Sequence, residues 1–318
     1  MENRKIGRSD LSIAPLVFGG NVFGWTIDER TSFTLLDAFV DHGLNCIDTA
    51  DVYSRWAPGN QGGESETIIG NWLKKSGKRN DVIIATKVGS SMTANDSKKN
   101  LSKAYILKGV EDSLRRLQTD HIDLYQSHYD DKDTAVQEML EAYNQLIKDG
   151  KVRYIGASNF SPERLKESLE TGERSGLPSY VSLQPEYNLY DREGYEEELE
   201  ALCKKYGLGV ITYYSLASGF LSGKYRSEND LNKSKRGQGI KKYLNDRGQR
   251  ILMALDDSSK EHNASPAAIS LAWVMARPTV TAPIASATSV EQLKELARSV
   301  EIKLSAEDVA KLDEASAY

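Results

Sequence analysis

Eight short apolar runs recur through the chain, beginning near residues 16, 44, 82, 122, 154, 181, 209 and 280, and nearly all are followed by apolar residues at helical spacing. Strands separated by helices pair in parallel, because each helix returns the chain to the same end of the sheet. The first long helix starts near Asp28, carries Phe33, Leu36 and Phe39/Val40 on one face, and stops at Gly43, where a left-handed residue is wanted. The same reading predicts helices over 65–75, 103–117, 134–149, 195–206, 246–262, 266–276, 289–299 and 305–315, with another opened by Ser161-Pro162-Glu163. There, and at Ser265-Pro266, a hydroxyl cap precedes Pro at the first helical position. Residues 3–14 read as a small hairpin turning at Gly7-Arg8-Ser9-Asp10.

Two parallel architectures compete. A doubly wound sheet usually carries a G-x-G-x-x-G turn, and Gly207-Leu208-Gly209 lacks the third glycine because Thr212 occupies its place. Eight strand–helix units in 318 residues instead predict the α/β class, as a (β/α)8 TIM barrel with a short N-terminal β-hairpin. No linker-like change of composition divides the chain, so residues 1–318 are expected to form a single domain. The polar stretch 214–245 is long for a structureless loop, which suggests a lid or a binding role.

Charge and hydropathy narrow the partners. Lys and Arg number 41 against 46 Asp and Glu, and the net charge of −5 speaks against a general nucleic-acid surface or an anionic membrane surface. There is no apolar run of about 18 residues to span a membrane. The N-terminal Met1-Glu2-Asn3-Arg4-Lys5 leads into no apolar signal core, so a cytoplasmic location is the expectation. Cys46 and Cys203 are too few for a disulfide framework and have no metal-ligand spacing.

In such a barrel, chemistry gathers where the strands end. Asp48, Lys87, His128, Ser158/Asn159, Gln184 and Tyr213 stand at those ends, with Tyr53 five residues beyond Asp48. Gly19-Gly20 closes the first strand, where backbone comes close to something. Each residue taken alone has an ordinary reading: a helix cap, a packed loop ring, a solvated strand end. Taken as an ordered set on one face, they suit proton transfer to a developing alkoxide. A free phenol, with pKa about 10, is a weak acid at neutral pH. A nearby Lys ammonium is expected to lower it. Tyr53 is therefore the candidate general acid, Lys87 tunes it, Asp48 anchors Lys87, and His128 orients a carbonyl oxygen. No metal is expected, because the nearby His121 is separated from His128 by an odd spacing that puts the two on opposite faces of a strand.

These residues fall in ordered motifs: Asp48-Thr49-Ala50-x-x-Tyr53, Thr86-Lys87, Ser127-His128-x-x-Asp131, Gly156-x-Ser158-Asn159-Phe160, Gln184-x-x-Tyr187-Asn188-Leu189 and Gly219-Phe220-Leu221-Ser222-Gly223-Lys224-Tyr225. Across nearly the whole chain the pattern resembles that of the aldo-keto reductases, and the family's Asp, Tyr, Lys and His tetrad falls on Asp48, Tyr53, Lys87 and His128. The resemblance implies reversible hydride transfer between NADP(H) and an aldehyde, ketone or alcohol. It also implies a cofactor lying across the barrel mouth. Ser158, Asn159 and Gln184 would hold its carboxamide, Tyr213 would stack on its nicotinamide ring, and residues 215–224, with Ser215, Leu216, Gly219 and Lys224, would belt its pyrophosphate. Gly20 is placed on the cofactor side as well. Ser286, Thr288 and Gln292, after the eighth strand, would serve its adenine end.

The chain departs from the family pattern in two places. Tyr213-Tyr214-Ser215 replaces the family's Tyr-Ser-Pro, and Ala285-Ser286-Ala287-Thr288-Ser289 lacks the Lys or Arg that often holds the 2′-phosphate. Leu296 stands where an Asn is usual, and NADP(H) remains preferred, with NAD(H) possible. Trp25, Trp56 and Tyr129 are candidates for the wall of a substrate pocket. A regulatory, nucleotide-sensing subunit on the same barrel, like the potassium-channel β-subunits of the family, is the alternative function.

Overall fold

The computed structural model describes residues 1–93, 96–233 and 237–318. A two-stranded antiparallel hairpin, β1 (Arg4–Lys5) and β2 (Ser12–Ile13), leads the chain. Eight parallel strands then close into a barrel: β3 (Val17–Gly19), β4 (Cys46–Asp48), β5 (Ile83–Val88), β6 (Ile122–Ser127), β7 (Val152–Ser158), β8 (Ser182–Gln184), β9 (Gly209–Thr212) and β10 (Val280–Ala285). They follow one another around the ring in chain order, and β10 pairs with both β9 and β3. This is the (β/α)8 barrel that the alternation predicts.

The intervening helices are α1 (Glu29–Asp41), α2 (Glu64–Ser76), α3 (Lys103–Leu117), α4 (Val136–Lys148), α5 (Pro162–Ser175), α6 (Glu193–Glu196), α7 (Leu199–Tyr206), α8 (Asp246–His262), α9 (Pro266–Met275), α10 (Val290–Arg298) and α11 (Ala306–Ala315). Several begin on the caps that the sequence signals: Asp28, Ser161 and Ser265 each accept a backbone N–H from three residues on. Helix α9 is buried along nearly its whole length, which fits its uninterrupted apolar run.

One expectation needs correction, and the long polar stretch proves ordered. The helix expected over 195–206 is broken at Glu197-Glu198, where Glu198 leaves helical backbone at φ −128°. Tyr195 is fixed there by Tyr187, 5.0 Å away between ring centroids, and by a 2.9 Å hydroxyl bond to Thr279, while Leu199 turns in from a fresh helical start. The stretch 214–245 is no structureless loop. It forms 3-10 turns at Ala217–Ser222, Glu228–Lys233 and Gly237–Tyr243, with Phe220, Leu221, Tyr225, Leu231, Ile240 and Tyr243 buried. Its polar composition hides one or two apolar anchors in each turn, and Phe220 stacks on Tyr243 at 5.3 Å. Residues 234–236 of that stretch lie outside the described residues.

The core has two compartments. The larger lies between the outer barrel face and the helices. The smaller fills the barrel: Val17, Cys46, Ala85, Leu124, Ile211 and Ala282 meet inside it, and Ile6, Leu11 and Ile13 of the hairpin close its lower end. Above this apolar plug the inward positions become polar, as the register requires: Asp48 lies beside Ala85 and Gly19, and Lys87 beside Gln126.

A charged clamp secures the lower rim. Asp123, 3% exposed, accepts from Arg79 at 2.8 Å, from Arg153 at 2.7 Å and from the Ile84 backbone N–H at 2.9 Å. Removing this carboxylate leaves two cations and a strand N–H without their acceptor. Asp123→Ala is expected to cost about 3 kcal/mol of folding stability, measurable by urea denaturation, whereas a loss near zero would show the clamp to be dispensable.

Candidate active site

Asp48 sits at the tip of β4 with both carboxylate oxygens engaged. Its Oδ2 accepts from Lys87 Nζ at 2.6 Å, and its Oδ1 from Gln184 Nε2 at 2.8 Å and Gln126 Nε2 at 3.2 Å. Lys87 Nζ donates as well to the Thr49 carbonyl at 2.8 Å and to Tyr53 Oη at 2.9 Å. Three bonds at these distances complete the ammonium's donor capacity. Asp48 and Lys87 are each 1% exposed, so the pair is stable only because its remaining valences are met. Tyr53 Oη also lies 3.5 Å from Asp48 Oδ2.

His128 follows β6. Its ring lies 6.0 Å from that of Tyr53 and stacks on Tyr129 at 4.8 Å. Its backbone is fixed on both sides: the N–H donates to Val88 O at 2.8 Å, and the carbonyl accepts from Asn159 Nδ2 at 2.9 Å. His128 Nδ1 is buried and has no hydrogen-bond partner among the described residues. The four residues singled out from sequence therefore meet at one point of the mouth.

The electrostatics depart from expectation in one respect. The sequence predicts that the ammonium lowers the Tyr53 phenol, yet burial first, then the Asp48 carboxylate, push that phenol well above its ordinary value. Asp48 lies close enough to offset the charge of Lys87, so the resting phenol stays protonated. Burial lowers Lys87 itself, against the opposing pull of Asp48, Asp51 and Glu66. Burial also drives His128 well below its usual range, helped by Lys87, Lys99 and Arg55, so its imidazole is neutral at pH 7.

The residues assigned to a cofactor flank this centre. Ser158 Oγ donates to Gln184 O at 2.8 Å, and Asn159, in left-handed backbone at φ 56°, accepts from Tyr213 Oη at 2.7 Å. Gln184 Nε2 is spent on Asp48 Oδ1 rather than left free, and it lies 3.3 Å from Gln126 Oε1 as a second acceptor. After β9 the backbone is left-handed at Tyr214, Ala217, Ser218 and Gly219, and Ala217 N–H closes one tight turn there on Tyr214 O. Within it, Ser215 Oγ bonds back to Thr212 O at 2.9 Å, Leu216 O accepts from Gly219 N at 2.8 Å, and Lys224 is exposed.

Gly20 opens a short 3-10 turn, and its carbonyl accepts from Ser65 at 2.8 Å. Ser286 Oγ faces inward, 2.8 Å from both Gly19 O and Asn21 Oδ1. Thr288 N and Oγ1 bond Gln292 Oε1 at 2.9 and 3.0 Å, at the start of α10. In the loops after β3 and β4, Trp25 and Trp56 meet edge to face at 5.5 Å, and Trp56 lies 6.0 Å from Tyr53.

Sequence reasoning passed over Gln126 and Asp51. Gln126 stands two residues before His128, and period-two alternation alone places both on the barrel's inner face. Gly156, directly across in the register, leaves it room: a Cβ there would come within 3.2 Å of Gln126 Cγ. Asp51 is buried behind Lys87 with Oδ1 unpartnered among the described residues, and burial and Glu66 raise its carboxyl well above the usual range. Glu66 accepts from Thr86 Oγ1 at 2.5 Å and from Arg116 Nε at 2.7 Å.

A closed parallel barrel gathers a carboxylate, an ammonium, a phenol and a neutral imidazole at its C-terminal mouth, on a (β/α)8 scaffold. The family model described as "Aldo/keto reductase family" matches residues 15–317, and the chain belongs to that family. It is 37% identical over 320 residues to the uncharacterized oxidoreductase YrpG of Bacillus subtilis (strain 168), covering 99% of this chain and 95% of that protein. A probable voltage-gated potassium channel subunit beta of Oryza sativa subsp. japonica is 33% identical, with 95% of this chain and 92% of the relative covered. The aldo-keto reductase YhdN of Bacillus subtilis (strain 168) is 32% identical, with 95% and 88% covered.

The neutrality of His128 has a measurable consequence. Below about pH 6.5 an unfolded histidine takes up a proton that the folded His128 refuses. Acidification below that point therefore favours unfolding, until the folded ring also protonates. The wild type is expected to lose about 1.4 kcal/mol more per pH unit than His128→Gln below that point. Parallel stability curves for the two proteins would contradict a neutral buried imidazole.

Proposed function

We propose that this protein transfers hydride reversibly between a nicotinamide cofactor, NADP(H) before NAD(H), and a small aldehyde, ketone or alcohol, with Tyr53 as general acid and base. The observation that carries this reading is the Tyr53 hydroxyl 2.9 Å from a Lys87 ammonium that is itself 2.6 Å from Asp48. Family membership supports a nicotinamide cofactor. The residues present fit one: Tyr213 offers a half-buried ring at the mouth, Asn159 and Ser158 bring an amide and a hydroxyl beside it, and the left-handed run after β9 suits a pyrophosphate. Ser158, Asn159 and Gln184 would hold the carboxamide, and Ser215, Leu216, Gly219 and Lys224 the pyrophosphate. Gly20, Ser286, Thr288 and Gln292 would line its far end. When bound, the cofactor supplies or takes up the hydride.

The protein's own groups manage the proton. His128, neutral, donates one N–H toward the carbonyl oxygen and fixes where that oxygen lies. Tyr53 then gives its proton to the oxygen as negative charge develops there. Lys87 stabilises the phenolate that remains, an interaction that strengthens only as the proton leaves and so favours the transition state over the ground state. Asp48 keeps Lys87 charged and in place. In the oxidative direction Tyr53 takes the proton back. Trp25, Trp56 and Tyr129 would wall the substrate side.

The second reading, a nucleotide-sensing subunit on the same barrel, draws on the likeness to the rice channel subunit named above. The two part on turnover: a sensing subunit binds the dinucleotide without sustained carbonyl reduction.

Tyr53→Phe is expected to keep cofactor affinity and to lower turnover by about 10²-fold or more, followed through nicotinamide absorbance. A near-normal rate in that variant would remove the proposed acid. Fluorescence titration is expected to show tighter binding of NADPH than of NADH. Equal affinities would trace a relaxed preference to Ser286–Ser289, where no Lys or Arg stands, and failure of both to bind would sink the reductase reading.

A further inference from the structure

The substrate side of the mouth carries two cations that the proton-transfer scheme does not use. After β5 the chain folds into a small antiparallel hairpin through the Ser90–Lys99 bridge, supported by Ser91 N–H to Lys98 O at 3.1 Å and Asn100 N–H to Gly89 O at 3.1 Å. This hairpin sets Lys99 Nζ over the Tyr129 ring, 3.7 Å from its centroid, and Tyr129 in turn stacks on His128 at 4.8 Å. One aromatic ring thus separates an ammonium from the imidazole proposed to orient the carbonyl. Arg55, in the loop after β4, binds the carbonyls of Ser91 and Thr93 and ties that loop to the hairpin.

Neither cation is neutralised by an ion pair among the described residues. Arg55 is bound to uncharged carbonyl oxygens. Lys99 rests on a ring face, and a lysine over an aromatic ring still has water-facing donors. Asp96 is the acid whose field reaches both, and it is already engaged by the Ser91 hydroxyl and the Lys98 N–H. Two positive charges against one tethered acid leave this rim positive, although the chain as a whole is acidic. Beside Arg55, the Trp25 and Trp56 pair is aromatic and carries no formal charge.

We infer that the favoured substrates are carbonyl acids, aldehydes or ketones that carry a carboxylate one short spacer or one aromatic ring from the reacting carbon. The carbonyl oxygen meets Tyr53 and His128, the carboxylate meets Lys99, and Trp25 and Trp56 cover the body between them. Arg55 holds the hairpin that presents Lys99 and adds to its field without offering a free bidentate face. This inference rests on the reductase reading and adds its substrate class.

The test is steady-state reduction of the ortho-, meta- and para-carboxybenzaldehydes, each compared with its methyl ester, at low and high salt. At least one acid is expected to exceed its ester in kcat/KM by about ten-fold at low salt, the scale of one partly screened charge pair. The advantage is expected to shrink at high salt. Lys99→Met is expected to bring the acid-to-ester ratio near one, Lys99→Glu to invert it, and Lys99→Arg to restore it. A merely structural lysine would change both rates together and leave the ratio alone. Esters reduced as well as acids by the wild type, or a ratio unmoved in Lys99→Met, would overturn the inference and leave the reductase reading standing. Reduction of neither acids nor esters with NADPH or NADH would defeat the reductase reading, and the inference with it.

Discussion

The buried pair of Asp48 and Lys87 is the constraint on which the mouth of this barrel depends. Placing two opposite charges where each is only 1% exposed removes most of their hydration, a loss of several kcal/mol per ion that their attraction must offset. Such a pair persists only where every remaining valence is met. Here four neighbouring groups meet them: Gln126 and Gln184 at one carboxylate oxygen, and Thr49 O and Tyr53 Oη at the ammonium. These groups come from β6, β8 and the loop after β4. The pair thus ties β4, β5, β6 and β8 in register at this level of the barrel.

The same pair explains why the site's titratable groups depart from their ordinary behaviour in a useful direction. A lone buried lysine beside a phenol would stabilise the phenolate at rest. With Asp48 present, the resting phenol keeps its proton and the ammonium keeps its place. In the proposed reaction the lysine's charge becomes effective only as the Tyr53 proton leaves. His128, held neutral by burial and by cations on its open side, can donate one hydrogen bond without competing as an acid. Asp51 and Glu66 sit behind Lys87 and support its charge from the other side. Arg116 meanwhile holds Glu66 in place at 2.7 Å.

The sequence carries the architecture because the signals for it are local. Helix faces, Ser and Asp caps and the glycines after helices depend on residues within a turn of one another, and so Asp28, Ser161 and Ser265 are recognisable as caps from the few residues that follow each of them. The tetrad is legible because strand ends in a parallel barrel share one face. What stays hidden depends on contacts between distant segments. Gln126 looks like any strand residue until Asp48, 78 positions away, is set 3.2 Å from it. The break between α6 and α7 comes from Tyr187 and Thr279, which no window around residue 197 contains. The stretch from 214 to 245 reads as polar by composition, and its few apolar anchors count only once α8 and α9 are there to receive them. The direction of the Tyr53 shift escapes the sequence for a related reason. Proximity to a lysine is visible in strand order, but the degree of burial and the nearness of a compensating carboxylate are not.

The two rims of the mouth are built on different principles, and this follows from what the central pair demands. Strands β4 to β8 must keep their register, so variation in specificity falls to the loops between them. After β9 the backbone itself makes the surface, with left-handed residues at 214, 217, 218 and 219. After β3, β4, β5 and β6 the surface is made by side chains: an indole pair, a phenol and two cations. None of Trp25, Trp56, Tyr129 or Lys99 is among the hydrogen-bond partners that stabilise Asp48 or Lys87. They can change without disturbing the buried pair. A barrel of this kind can therefore keep its buried pair fixed while the loops around it vary in charge and shape.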